Sequence, residues 1–282
     1  MNGAIIINKP AGMTSRDVIN RLNQILEIKE IGHTGTLDPM ATGILVCLVG
    51  RATKLSDILT NHDKEYIASF KLGVLTDTLD ITGNILKEEK ISIDKEKIAE
   101  VLKSFIKTYQ QEVPIYSAVK VNGKKLYEYA RNNINVDLPK REVTIYNIEL
   151  LSIEDDIVTI KTKVSKGTYI RSLIRDIGIS LGTNATLTSL NRTSLGNFNI
   201  DDACSIDDIL NNKFYLYSVK ELLKDYPTEE IDPEMLYKVR NGQILNRKIK
   251  DYLLFTVNDK EIALYQKYDK DPDKIKPSVM FY

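Results

Sequence analysis

The hydrophobic positions in the first part of the chain follow one period typical of strands and another typical of helices. Residues 4–7 form a short apolar run before a Pro-Gly turn, and residues 44–49 form a second run short enough for a buried strand. Apolar residues at helical spacing follow Thr14, and Asp17 stands three positions after it, which predicts a capped helix N-terminus. Apolar and polar residues alternate over 66–72, which predicts a half-buried strand.

The pattern after residue 90 mixes the same two periods. Asp94 is predicted to cap a helix, and a second helix is predicted to open at Lys166-Gly167, with apolar residues from Ile170 to Leu181, and to be closed by Gly182. Strands are predicted over 115–121, where Asn122-Gly123 marks a tight turn, and as a long pair over 141–153 and 157–164. Because strands and helices alternate without a regular βαβ repeat, we predict an α+β fold on a largely antiparallel sheet.

A change in composition near Tyr226 predicts a second, smaller unit. Beyond this point, short strand-like segments at 253–257, 262–265 and 279–282 are separated by charged turns. We therefore predict a main domain over residues 1–226 and a small β-rich module over 227–282.

Composition restricts the class of protein. The 282 residues are 43% hydrophobic and 28% charged, which is ordinary for a soluble globular chain, and no apolar run is long enough to span a membrane. Cys47 and Cys204 are far apart in sequence, which favours buried thiols in a reducing cytoplasm over a disulfide scaffold. The 39 basic and 39 acidic residues cancel, so any binding of nucleic acid must depend on a local basic patch.

Several kinds of catalytic site are not supported by the sequence. There is no phosphate-binding G-x-x-x-x-G-K-[ST] motif and no G-x-S-x-G elbow. His33 and His62 are the two histidines, too few for a histidine-rich metal site, and no cysteine cluster has ligand spacing. Chemistry, if present, must use carboxylates, tyrosines and basic groups.

The segment 32–43 has the highest density of conformationally special residues, with three glycines, a histidine and an Asp-Pro pair. Asp38 at its centre is the candidate reactive group, although a tight turn with a self-bonded aspartate fits the same pattern. Taken singly, the remote candidates also have structural interpretations. Arg171 lies off the apolar stripe of its helix and fits an exposed arginine, Tyr66 fits a core tyrosine, and Lys9 fits a surface turn.

Taken together and in order, these segments closely resemble the bacterial TruB family of tRNA pseudouridine synthases. The resemblance covers roughly residues 3 to 200. Its main phrases are Asn8-Lys9-Pro10, Gly32-His33-Thr34-Gly35-Thr36-Leu37-Asp38-Pro39, Gly50-Arg51-Ala52-Thr53-Lys54, Lys64-Glu65-Tyr66, Thr76-Asp77-Thr78, Pro114-Ile115-Tyr116-Ser117-Ala118, Lys166-Gly167-Thr168-Tyr169-Ile170-Arg171 and Leu190-Asn191-Arg192-Thr193.

The resemblance implies a fold and an activity. The fold would be a mixed, largely antiparallel pseudouridine-synthase sheet flanked by helices, with a PUA-like C-terminal module. The activity would be isomerisation of uridine 55 to pseudouridine in the TΨC loop of tRNA. That reaction needs no cofactor or metal, because it involves neither redox change nor hydrolysis. The implied partner is tRNA, with no protein partner and no membrane, for a cytoplasmic monomer.

The resemblance also assigns roles to individual residues. Asp38 would be the catalytic carboxylate that attacks or stabilises the sugar carbon, and Arg171 would hold it in a bidentate pose. Tyr66 would stack on the uracil and take part in proton transfer. The substrate-binding set would comprise His33, which fills the space left by the flipped base, and Lys9, Tyr169 and Leu190, which line the pocket or support it.

Three alternatives stay open at this point. The same fold could serve mainly as a tRNA-folding chaperone, with catalysis secondary. Asp38 could instead hydrolyse an N-glycosidic bond. Residues 32–35 could be the GXXG loop of a KH domain, which clamps nucleotides without chemistry.

RNA affinity should depend on a local basic surface and fall steeply with salt. The sequence assigns no role to His62, Asp77 or Asp80. The residues expected to form the basic surface are Lys9, Arg16, Lys54, Lys120, Lys124 and Lys166.

Overall fold

The structure is a computed structural model that describes residues 1–92 and 94–282. Within these residues the strands are β1 Gly3–Lys9, β2 Ile31–Thr34, β3 Thr42–Val49, β4 Lys64–Leu72, β5 Val74–Thr76, β6 Ile85–Glu88, β7 Thr108–Glu112, β8 Lys120–Val121, β9 Lys124–Lys125, β10 Lys140–Glu154, β11 Ile157–Val164, β12 Ala185–Leu195, β13 Phe198–Asn199, β14 Thr228–Glu230, β15 Leu245–Asn246, β16 Tyr252–Val257, β17 Lys260–Lys267 and β18 Lys274–Met280. The α-helices are α1 Ser15–Leu26, α2 Ser56–Thr60, α3 Lys95–Ser104, α4 Leu126–Arg131, α5 Ile170–Leu181, α6 Ile206–Leu210, α7 Val219–Leu222 and α8 Pro233–Arg240.

Among the described residues, the largest sheet has nine strands, which lie between residues 3 and 199. Its order is β1-β3-β12-β4-β11-β10-β7, with β2 paired to β3 and β13 paired to β12. Strands β3 and β12 run parallel, and the other pairings described in this sheet are antiparallel. This arrangement confirms the predicted α+β fold on a largely antiparallel sheet.

Strand β4 occupies the middle of the sheet and is built by strict alternation. Every second residue from Lys64 to Leu72 is buried, so one face of the strand is turned to the interior. Helix α5 packs on that face, where Ile174 and Ile177 share a hydrophobic cluster with Phe70 of β4. Tyr66 lies on β4 and Arg171 lies on α5, so this packing brings the elements that carry them together.

The predicted helix ends are confirmed in detail. Thr14 and Asp17 form a reciprocal capping box at the start of α1. Asp94 accepts a hydrogen bond from the Lys97 backbone at the start of α3. Gly182 closes α5 in the left-handed conformation, with φ 83°.

The strand predicted over residues 115–121 is wrong for most of its length. The Ser117 amide donates to the Ile115 carbonyl at 2.9 Å, so the chain turns back on itself before it can pair. Only β8 pairs, with β9, around the predicted Asn122-Gly123 turn. In the other direction, the eleven-residue strand β12 was not predicted, although it separates β3 from β4.

The C-terminal residues form a five-stranded sheet in the order β14-β16-β17-β18-β15, as the β-rich prediction expects. Its last strand begins earlier than predicted, at Lys274, and ends at Met280. This sheet shares a hydrophobic cluster with the edge of the main sheet, in which Leu264 and Phe281 pack with Ile6 and Leu48. The division at residue 226 stays a prediction.

Candidate active site

Asp38 lies in the loop between β2 and β3, and the backbone on both sides of it is fixed by neighbouring groups. The Ser15 hydroxyl accepts from the Leu37 amide at 2.9 Å and donates to the Leu37 carbonyl at 3.2 Å. The Gly12 amide donates to the Pro39 carbonyl at 2.8 Å. The start of α1 and the turn before it therefore hold the loop in one conformation.

Arg171 forms a bidentate ion pair with Asp38. Its Nε lies 2.9 Å from Oδ2 and its Nη2 lies 3.1 Å from Oδ1. The arginine side chain is only 7% exposed, whereas that of Asp38 is 35% exposed. The guanidinium thus orients a carboxylate that keeps one side open.

The other contacts of Arg171 explain why it is buried. Nη2 also donates to the Tyr116 carbonyl and Nη1 to the Thr78 carbonyl, each at 3.1 Å, and Asp80 lies 3.8 Å from Nη1. The surface interpretation drawn from its helical position is therefore wrong. That interpretation counted contacts along the helix only, and the acceptors come from three remote loops.

Asp80 organises the loop that faces Arg171. Its Oδ1 accepts hydrogen bonds from the Thr78 hydroxyl at 2.9 Å and from the Thr82 amide and hydroxyl at 3.0 and 2.5 Å. A residue without a predicted role thus shapes the wall behind the arginine.

A cavity of about 400 Å³ opens in front of the Asp38–Arg171 pair. Tyr66 and Leu190, each 7% exposed, give it an apolar side that suits a planar base. Its wall contains five of the seven predicted site residues, namely Asp38, Tyr66, Tyr169, Arg171 and Leu190.

Gln111 is a residue that sequence reasoning missed. It is 1% exposed, and its Oε1 accepts from the Tyr169 amide at 2.8 Å. Tyr169 is the N-cap of α5 and makes no side-chain cap of its own, so Gln111 supplies the cap from β7. Its Nε2 donates to the Tyr109 hydroxyl at 2.9 Å, and that hydroxyl donates to Asp176 of α5 at 3.2 Å.

Two cations on the cavity wall, Lys64 and Arg192, were also missed. Arg192 donates through Nε to the Ile44 carbonyl and through Nη2 to the Gly35 carbonyl, both at 2.8 Å, and so ties the two ends of the Asp38 loop to the sheet. The signal for Lys64 was present in the sequence, because residues two apart on a strand share a face and Lys64 stands two before Tyr66.

Comparison with known families identifies the fold that carries this site. The model described as the N-terminal domain of TruB family pseudouridylate synthases matches residues 23–170, more than half of the chain. The chain belongs to the TruB family. A second model, described as the tRNA pseudouridylate synthase B C-terminal domain, matches residues 171–231 of this TruB protein.

Two relatives are similar in sequence to this chain over nearly its whole length. A protein of Clostridium kluyveri named tRNA pseudouridine synthase B is 41% identical over 267 residues, which are 94% of this chain and 92% of that one. A protein of Clostridium tetani with the same name is 42% identical over 277 residues, 95% of this chain and 96% of that one. The predicted enzyme class, a pseudouridine synthase and hence an isomerase, is confirmed.

The fold is shared with a more distant solved structure. A chain from "Structure of H/ACA RNP bound to a substrate RNA containing 2'-deoxyuridine" has a TM-score of 0.72 and 24% identity, and the match covers 99% of this chain and 85% of that one. The predicted fold class is confirmed. The KH interpretation is wrong, because residues 31–34 form a strand paired with β3 instead of a loop between two helices.

Two predicted substrate-binding residues of the TruB chain lie away from the cavity wall. Lys9 is fully buried, and its Nζ donates to the carbonyls of Pro10 at 2.8 Å, Met13 at 2.6 Å and Pro39 at 3.3 Å. Burial lowers the pKa of this ammonium to about 8, against the opposing effect of Asp38. Lys9 therefore supports the loop from beneath, and its place in a surface RNA patch is corrected; the other five expected cations are exposed.

His33 is half-buried on β2, outside the cavity wall. Burial first, and then the charges of Arg16 and Arg192, lower the pKa of its imidazole, so the neutral form is favoured at neutral pH. Its Nδ1 is buried and has no hydrogen-bond partner within residues 1–92 and 94–282. Its predicted role beside a flipped base stays a prediction.

The described residues of this TruB protein contain neither a metal-binding cluster nor a membrane-spanning helix. No group of three or more His, Cys, Asp or Glu side chains is arranged to hold a metal ion. None of the helices in residues 1–92 and 94–282 is both long and apolar enough to cross a membrane.

Proposed function

We propose that this enzyme isomerises uridine 55 to pseudouridine in the TΨC loop of tRNA, with Asp38 as the nucleophile. The observation that carries the proposal is the bidentate Asp38–Arg171 pair on the wall of a cavity that several tyrosines also line. The names of the relatives support tRNA as the substrate.

The reaction exchanges one bond at the ribose for another. The bond between C1′ and N1 breaks, the uracil turns within the cavity, and C1′ joins C5, which then loses its proton while N1 gains one. A carboxylate can attack or stabilise C1′ while the base is detached, as carboxylates do in glycosidases. The partly exposed Asp38 is the one carboxylate on the described cavity wall.

The neighbours of Asp38 supply orientation and a surface for the base. Arg171 holds the carboxylate by two hydrogen bonds and leaves its open side toward the cavity. Tyr66 and Leu190 face the space where a detached uracil would turn, and stacking on an aromatic ring contributes about 1–3 kcal/mol per base in comparable sites. Tyr66 also carries a hydroxyl, which makes it the candidate group to accept the proton that leaves C5.

The uridine must leave its stacked position before it can reach Asp38, which costs a few kcal/mol. The neutral, half-buried imidazole of His33 suits the steric and stacking role that base flipping requires, since no charge is needed there.

The test is to map pseudouridine in tRNA treated with wild-type, Asp38→Asn and Asp201→Asn proteins. Asp201 is an exposed carboxylate far along the chain and serves as the matched control. We expect pseudouridine at position 55 with wild type and with Asp201→Asn, and a loss of at least about a thousandfold in rate with Asp38→Asn.

The same experiment separates the alternatives. Unchanged product with Asp38→Asn would contradict a nucleophilic Asp38. Wild-type protein that binds tRNA and forms little pseudouridine would favour a chaperone whose catalysis is secondary. Free uracil released from tRNA by wild type would show N-glycoside hydrolysis instead of isomerisation. Product at a position other than 55 would contradict the proposed substrate site.

A further inference from the structure

Two cations lie on the cavity wall beside the proposed base platform. Lys64 stands two residues before Tyr66 on β4, and Arg192 pairs directly across from Tyr66 on β12. Their exposed fractions are 7% and 1%, so both are buried in the protein apart from the surface that they turn to the cavity.

Lys64 has no ion-pair partner among the residues that the structure describes. In the described part of the chain no carboxylate oxygen lies within 4.0 Å of its ammonium. Its Nζ donates to the carbonyls of Thr60 at 2.7 Å and His62 at 2.6 Å. An ammonium has three hydrogens, so one hydrogen remains for a further acceptor.

Arg192 is in the same situation. Its Nε and Nη2 are used by the two backbone carbonyls that flank the Asp38 loop, whereas Nη1 donates to no acceptor among the described residues. A Cβ on Gly35 would lie 3.2 Å from Nη1, so the glycine leaves this nitrogen uncovered on the cavity wall.

The two cations differ from the other buried ones around the site. Arg171 is neutralised by Asp38, and all three ammonium hydrogens of Lys9 have carbonyl acceptors. A buried charge without a counterion is unfavourable, and burial followed by the charge of Arg192 lowers the pKa of Lys64 to about 8. An anion placed between Lys64 and Arg192 would relieve both effects.

We propose that Lys64 and Arg192 form a phosphate subsite that binds the phosphodiester next to the target uridine. The inference rests on the proposed function. In RNA the anion nearest to a reacting ribose is the phosphate attached to that ribose, and lysine and arginine are the usual donors to phosphate oxygens. The exposed Lys166, whose charge also acts on Lys64, adds a further cation near this pair.

The experiment replaces single phosphates in a T-arm stem-loop RNA by neutral methylphosphonate, either 5′ or 3′ of the target uridine. The readout is the enzyme concentration that gives half-maximal single-turnover pseudouridine formation. For wild type we expect one of the two replacements to raise this concentration about tenfold. For Lys64→Met, whose affinity for the natural RNA should fall by a similar factor, that replacement should have no further effect.

Lys9→Met is the matched control, because Lys9 is an equally buried lysine bound to carbonyls but without a free hydrogen. We expect it to keep the full wild-type sensitivity to the methylphosphonate, whatever activity it loses. Lys64→Arg, which keeps the charge, should restore part of the sensitivity.

Two results would overturn the phosphate subsite. One is wild type that turns over both modified RNAs with the affinity of the natural RNA, a measurement that does not depend on any variant folding. The other is an active Lys64→Met protein that still loses tenfold with the methylphosphonate. Either result with pseudouridine still formed at position 55 leaves the proposed function intact, whereas no pseudouridine with any RNA contradicts the proposed function itself.

Discussion

At the scale of single residues, the site is defined by how buried cations are satisfied. Arg171 donates hydrogen bonds to Asp38 and to two loop carbonyls. Lys9 donates all three of its ammonium hydrogens to backbone carbonyls. The Arg171 contacts could not be predicted from periodicity, because each acceptor comes from a part of the chain remote from the donor. Lys9 likewise reaches the remote Pro39 carbonyl besides two acceptors near it in sequence. The phrases shared with the TruB family indicated Asp38, Tyr66 and Arg171, and did not single out Lys64 or Arg192.

The buried lysines predict a pH dependence of stability. Burial lowers the pKa of Lys64 from 10.5 to about 8 in the folded state. Between these values the unfolded chain binds a proton that the native state has lost, so this group makes the free energy of unfolding rise as pH increases, by at most about 1.4 kcal/mol per pH unit. Relative to that of Lys64→Met, the free energy of unfolding of wild type should therefore rise from about pH 8 to about pH 10.5.

Denaturant titrations at several pH values measure this difference. Lys54→Met is the control for removing an exposed lysine, and its difference from wild type is the baseline for the Lys64→Met difference. If the free energy of unfolding of wild type instead falls relative to that of Lys64→Met as pH rises, the assigned direction of the pKa shift is wrong.

At the scale of elements, the sequence predicted those whose periodicity is uninterrupted. Strand β4 alternates without a break, and α1 and α5 carry regular apolar stripes. Strand β12 was missed because irregular register between Leu187 and Ser189, and again between Arg192 and Ser194, interrupts the alternation. Residues 115–121 had the composition of a strand, but their backbone is used by a turn and by Arg171.

The docking of α5 gives a prediction at this scale. Gln111→Leu removes the cap on the Tyr169 amide and the link through Tyr109, so the first turn of α5 should be less well held where it presents Arg171. We expect kcat to fall about tenfold with KM changed less than about twofold.

Steady-state kinetics on tRNA tests this split. Gln110→Leu is the neighbouring exposed control and should be unchanged, and Gln111→Glu, which keeps the acceptor for the Tyr169 amide, should recover part of kcat. Equal losses in kcat and in the fraction of folded protein for Gln111→Leu would indicate a structural role only.

At the scale of the whole molecule, the β-rich C-terminal sheet and the main sheet are joined by a common core. Leu264 and Phe281 of the C-terminal part pack with Ile6 of β1 and Leu48 of β3. A polar contact lies at the same place, because the side-chain amide of Asn2 donates to the Phe281 backbone carbonyl at 3.5 Å. Short strand segments predicted the C-terminal sheet, but not this packing, which depends on three-dimensional proximity.

The shared core predicts that the C-terminal part stabilises the catalytic sheet. Phe281 is 6% exposed, so Phe281→Ala should lower the free energy of unfolding by about 3 kcal/mol. The loss should be seen equally by probes in either part, in one cooperative transition. Ile179→Ala, at a position 64% exposed, should change stability by less than about 0.5 kcal/mol. Separate transitions, with the main sheet unaffected by Phe281→Ala, would contradict this coupling.

The same packing has a consequence for synthesis on the ribosome. Strand β1 emerges long before the residues near position 281, yet those residues cover the side of its sheet that carries Ile6. An emerging chain can pair β1 with β3 early, but part of that apolar surface stays open until the residues near position 281 have been translated. Chaperones that recognise exposed hydrophobic surface should therefore bind nascent chains of this enzyme until those residues have emerged.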